Sequence, residues 1–87
     1  MTAFTFVIKG DPSQKLNRIR MLAAQKGVAF RGDLKSGSFS GGLSLLGMGI
    51  RGSYAISGNR ITVNVIEKPN SYSWNRVESE LRGFVEG

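Results

Sequence analysis

Gly47-Met48-Gly49-Ile50-Arg51-Gly52, within the stretch GGLSLLGMGIRG, has the G-x-G-x-x-G spacing of loops that cradle phosphate. In a dinucleotide fold that chemistry needs a strand before the loop and a helix directly after it, so that the helix N-terminus faces the pyrophosphate. The residues that follow alternate as a strand instead, and 87 residues cannot accommodate a doubly wound fold. No G-x-x-x-x-G-K-S/T sequence occurs. A kinase-type loop does lie between strands, but it depends on catalytic partners in a far larger enzyme. The plainer reading makes Gly41, Gly42, Gly47 and Gly49 a flexible connector, with Gly52 a bulge or close-packing point in a strand.

Other reactive groups are sparse. The chain has no histidine and no cysteine, so the usual general base near neutral pH, thiolate metal sites and disulfides are all excluded. Glu78 and Glu80 stand two apart on a helix and point in different directions, which spoils them as a carboxylate pair. Asp11 reads as a helix cap and Asp33 as a turn residue. The serines have no base placed beside them by any motif. No carboxylate cluster suits a metal, and no cofactor is expected. The expectation is a protein that binds rather than catalyses.

Two sets of residues are candidates for binding. Leu43, Leu45, Leu46 and Met48 ride on the glycine-rich loop, which either folds back on the core or offers an apolar patch. Tyr72 and Trp74, near the start of the last helix, can line a small pocket between helix and sheet, although Trp74 also falls in register with Val77 and Leu81 as core. The second set is cationic. The net charge is +6, and residues 1–43 carry +5 of it. Lys15, Arg18, Arg20, Lys26, Arg31 and Lys35 can neutralise phosphates, which makes nonspecific nucleic-acid binding the alternative function. The order of elements is not that of an RRM or a double-stranded-RNA domain.

These residues must be positioned by a small single domain spanning residues 1–87. TAFTFVIK alternates as a strand with Phe4, Phe6 and Ile8 on one face, and Gly10 breaks it. DPSQKLNRIRMLAAQKG reads as a helix with Asp11 as cap, Pro12 in the first turn, Gln14 reaching back and Gly27 closing the far end. Its core stripe is Leu16, Ile19 and Ala23, flanked by Lys15, Arg20 and Lys26. A hairpin follows, with Val28 and Phe30 inward, Gly32 to Gly37 as the turn and Ser38-Phe39-Ser40 returning. A clearer hairpin runs from Ile50, Tyr54 and Ile56 through the Gly58-Asn59 turn to Ile61, Val63 and Val65. NSYSWNRVESELRGFVEG is the last helix, capped by Ser71 or Ser73, with Trp74, Val77, Leu81 and Phe84 on one face. The fold class is α+β, in the order β-α-β-β-β-β-α, an antiparallel sheet of about five strands with two helices packed on one face.

That order, with RGSYAISGNRITVNV running into WNRVESELRGFVE, resembles the polyhydroxyalkanoate granule-system family of small bacterial proteins. The likeness covers nearly the whole chain at the level of pattern. It rests on Gly52 ahead of Tyr54 and Ile56, the Gly58-Asn59 turn, the Ile61/Val63/Val65 strand and Val77/Glu78/Leu81. The Gly41–Gly49 loop departs from it in being longer and more apolar. The resemblance implies a role at a granule or other hydrophobic surface and no catalytic residue. A broader likeness is to helix-grip proteins, whose curved sheet can enclose a lipophilic ligand. The start of the chain lacks a basic n-region, and no apolar run approaches the ~18–20 residues of a membrane span, so a cytoplasmic protein is expected. Its expected partner is an unknown protein or hydrophobic ligand, and an edge strand such as that of Phe39 offers a route to a homodimer.

Overall fold

A computed structural model describes residues 2–41 and 49–86. The elements are β1 (Thr2–Val7), α1 (Pro12–Gln25), β2 (Val28–Gly32), β3 (Ser36–Gly41), β4 (Ile50–Ser57), β5 (Arg60–Glu67) and α2 (Trp74–Glu86). This is the α+β order read from the sequence. The five strands form one sheet in the spatial order β1-β5-β4-β3-β2, with every neighbouring pair antiparallel. Strands β2 to β5 pair in succession. Helix α1 carries the chain from β1 at one edge to β2 at the other. Both helices pack on the same face.

Local chemistry sets the boundaries. Asp11 caps α1 by accepting a hydrogen bond from the Ser13 N–H at 2.9 Å, Pro12 opens the helix, and Gly27 follows its end at φ 75°. Gln14 makes no return bond, so the expected box reduces to a single cap. Ser73, not Ser71, caps α2 through the Arg76 N–H at 3.2 Å. Gly58 and Asn59 alone join β4 to β5, with Gly58 in the left-handed region. None of the helices among the described residues is long and apolar enough to cross a membrane.

The strand register fixes what faces the helices. Phe4, Phe6 and Ile8 point inward from the β1 segment, Ile61, Val63 and Val65 from β5, and Tyr54 and Ile56 from β4. Val28, Phe30 and Phe39 do so from β2 and β3. From above they meet Leu16, Ile19 and Ala23 of α1 and Val77 and Val85 of α2, all buried. The opposite sheet face carries Ser36, Ser38, Ser53, Thr62 and Asn64, and no described helix covers it.

Four expectations need correction. Strand pairing in the first hairpin continues through Gly32 and Gly37, so its turn is only Asp33-Leu34-Lys35. Gly41 belongs to β3, paired with both Val28 and Ile50, rather than to the connector. Phe39 lies on an internal strand, and the sheet edges are β1 and β2. Trp74, the first residue of α2, is 36% exposed rather than core, and its ring tilts against Phe4 at 6.3 Å between centroids. Gly52 behaves as read. The register shifts between Arg51 and Gly52, and a Cβ there would run into the Asn64 carbonyl and lie 2.6 Å from Phe39 Cζ.

Candidate functional site

The inward positions of β2, β3 and β4 alternate large side chains with glycines. Across the register, Phe39 lies opposite Gly52, Tyr54 opposite Gly37, Gly37 opposite Gly32, and Ile50 opposite Gly41. Each aromatic ring therefore lies over a neighbour with no side chain. Tyr54 illustrates the fit, since a Cβ on either Gly32 or Gly37 would come within 2.6 Å of its hydroxyl oxygen. Its ring stacks on Phe30 at 5.0 Å and 12°, and its hydroxyl donates to the Asp33 carbonyl at 2.8 Å. Burial raises the Tyr54 pKa above its ordinary value, the Arg20 charge opposing and the Asp33 charge adding to the shift, so the phenol remains a neutral donor.

Rings lying flat over glycines do not fill the space up to the helices. Between them is a cavity of about 80 Å³, walled by Ile19 and Ala23 of α1, Val28, Phe30, Phe39, Ile50, Tyr54, Ile61 and Val63 of the sheet, and Leu81, Phe84 and Val85 of α2. Ala23, the smallest side chain of the α1 stripe, leaves room at one wall. The lining presents no polar surface, because the one polar group among these side chains is turned away toward Asp33. Val28, Phe30, Ile50, Leu81 and Phe84 are only partly buried, so the described residues do not fully enclose the cavity. A lining of this kind suits an apolar group.

Leu43, Leu45, Leu46 and Met48 lie outside the described residues. Tyr72 and Trp74 stand away from the cavity lining, at the start of α2. There they form a cation–aromatic cluster. The Arg76 guanidinium sits 4.0 Å from the Tyr72 ring centroid, and Lys68 lies 5.6 Å from that of Trp74 while donating to the Tyr72 carbonyl at 2.6 Å. The cavity residues are legible only as core in the sequence, since a gap between core side chains has no local signature.

The cationic candidates are distributed over three parts of the fold. Lys15, Arg18, Arg20 and Lys26 belong to α1 or its end, Lys35 to the β2–β3 turn, and Arg31 to the sheet face away from α1. Arg20 is engaged, donating to the Gly32 carbonyl at 3.1 Å. Phe4, Phe6, Phe30, Phe39 and Tyr54 all face the helices, so the strands offer no exposed ring for a base to stack on. The G-x-G-x-x-G stretch ends inside β4, with no helix N-terminus after it. Glu78 pairs with Arg82 and Glu80 with Arg76 along α2, and the described residues contain no group of three potential metal ligands.

No family model matches the chain, and no curated protein sequence matches it.

Proposed function

We propose that this chain is a non-catalytic cytoplasmic binding module that takes an apolar group, such as a hydrocarbon chain end or a partner's aliphatic side chain, into the cavity between sheet and helices. The carrying observation is a wall without polar surface that the described residues do not fully enclose. In a native core of this size packing leaves few voids, and an apolar one carries a cost in lost contacts that an apolar occupant recovers. The volume of about 80 Å³ sets the ligand class. It is smaller than the ~150 Å³ cavity known to admit benzene, so the guest is a few carbons wide or the tip of something larger. The pattern-level likeness to the polyhydroxyalkanoate granule-system family, read from the sequence alone, points to the same class, because a polyester or lipid surface presents such groups.

The test is an NMR titration of the folded chain with xenon and with a medium-chain fatty acid. The expected outcome is shifts confined to Ile19, Phe30, Ile50 and Phe84, abolished when Ala23→Leu fills the wall. Absence of shifts at those residues with both ligands sinks the reading. An oligonucleotide that instead shifts Arg18, Lys26 and Arg31 and is displaced by moderate salt establishes the nucleic-acid alternative.

A further inference from the structure

The two sheet edges are treated differently. At β2 the strand lies along α1, carries Arg31, and gives its Gly32 carbonyl to Arg20. These are devices that discourage further strand pairing. β1 has a helix beside it as well, α2, but among the described residues no side chain engages one of its carbonyls. From Thr2 to Ile8 it carries no charge and no proline.

The hydrogen-bond phase of β1 shows which groups are open. The Ile8 N–H donates to the Asn59 carbonyl, continuing the β1–β5 register by one step. In an antiparallel ladder the bonded positions alternate, so Phe6, Phe4 and Thr2 bond to β5 while Ala3, Thr5 and Val7 turn their N–H and C=O groups outward. Among the described residues nothing accepts from or donates to those backbone groups.

We propose that β1 pairs antiparallel with β1 of a second copy about a two-fold axis at Thr5, joining the two sheets into one. A two-fold interface must be self-complementary, and this strand is. With Thr5 opposite Thr5, Phe4 meets Phe6 of the second copy on the helix side, and Ala3 meets Val7 on the open side. The parity that satisfies the outward backbone groups is the one that keeps both pairs of helices on the same face. The neighbouring flank of α2 covers the helix side of the same strand. Trp74 lies over Phe4, Arg82 lies over Phe6 at 5.9 Å, and Glu78 bonds Arg82 at 3.3 Å on that flank. The uncharged seam also lets two copies of net charge +6 approach, with salt screening the remaining repulsion.

Sedimentation equilibrium of the whole chain, over about a hundredfold range of concentration, reads this directly. The expected result is a monomer–dimer equilibrium that strengthens with added salt. Thr5→Pro, which an edge strand tolerates, removes one N–H from each copy and is expected to weaken association by about thirtyfold. Thr5→Lys puts like charges opposite each other and weakens it too, and circular dichroism of both variants checks that they fold. Because the native chain has no cysteine, Thr5→Cys should oxidise to a covalent dimer while Ala29→Cys on β2 should not. A monomer at every concentration and salt level overturns the proposal. So does a dimer that survives both Thr5→Pro and Thr5→Lys, or one that cross-links through Ala29→Cys instead.

Discussion

The two hairpins of the sheet are held together in different ways. Between β4 and β5 the strands are eight residues each, the turn is two residues, and Ile61, Val63 and Val65 are almost wholly withdrawn from solvent. This hairpin is stabilised by apolar burial along its length. Between β2 and β3 the strands are five and six residues, and three inward positions are glycines. Here the stabilisation is assembled from outside the hairpin. Tyr54 of β4 lies across the glycines and ties down the Asp33 carbonyl, and Arg20 of α1 ties down that of Gly32. The comparison locates the apolar cavity physically. It opens where a densely packed hairpin gives way to one that is tethered at points.

The largest effect belongs to the packed hairpin. Ile61 is 2% exposed and joins the cluster shared by both helices. Ile61→Ala is expected to lower stability by about 3 kcal/mol, read by chemical denaturation, with all amides losing protection together. If protection falls only in β4 and β5, the two hairpins are independent units and the contrast is of a different kind.

The same contrast explains what the sequence makes legible. Ile61, Val63 and Val65 alternate with polar residues beside a Gly-Asn turn, and both signals are local, so the packed hairpin can be read directly. The tethered hairpin can be read only in part. Gly32 and Gly37 look like turn residues because glycine usually is one, but here they are strand positions emptied for a ring that arrives on a later strand. That requires the register, which no short window contains. The cavity is hidden for the same reason, as it is the joint product of Ala23 and the glycine–aromatic pairing across strands. Trp74 is illegible for another reason. Helical spacing assigns it to the inner face of α2, but spacing does not say where the sheet beneath that face ends.

A smaller effect should come from the tether itself. Tyr54→Phe keeps the ring over the glycines and removes the bond to the Asp33 carbonyl, an expected loss of about 1 kcal/mol. Its signature is local. Amide exchange should accelerate across β2 and β3 and stay unchanged in β5, whereas a uniform change would erase the distinction between the hairpins. The pH dependence sharpens it. Because burial raises the folded-state pKa, the Tyr54 contribution is complete below the ordinary tyrosine value of about 10 and is lost as pH climbs through the raised one. The native chain should therefore lose stability in that alkaline range, and the phenylalanine variant should lose less.

The smallest effect is expected at the turn. Asp33 Oδ1 accepts from the Ser36 N–H at 3.1 Å and the Lys35 N–H at 2.8 Å. Those bonds, with Ser36 contributing most, then Lys35, hold its pKa below the ordinary carboxylate value. For a lowered pKa the sign runs opposite to that of Tyr54. The contribution is complete above the ordinary carboxylate value and fades as pH falls through the lowered one. Asp33 is exposed, so this linkage is screened and acts on the turn rather than on the whole fold. Asp33→Asn preserves an oxygen acceptor but removes the charge. It should leave the denaturation midpoint nearly unchanged while flattening the acid-induced rise in amide exchange at Lys35 and Ser36. A flat native profile at those two amides would mean that the turn is held by Tyr54 and Arg20 alone, and would make tethering from outside the entire basis of the second hairpin.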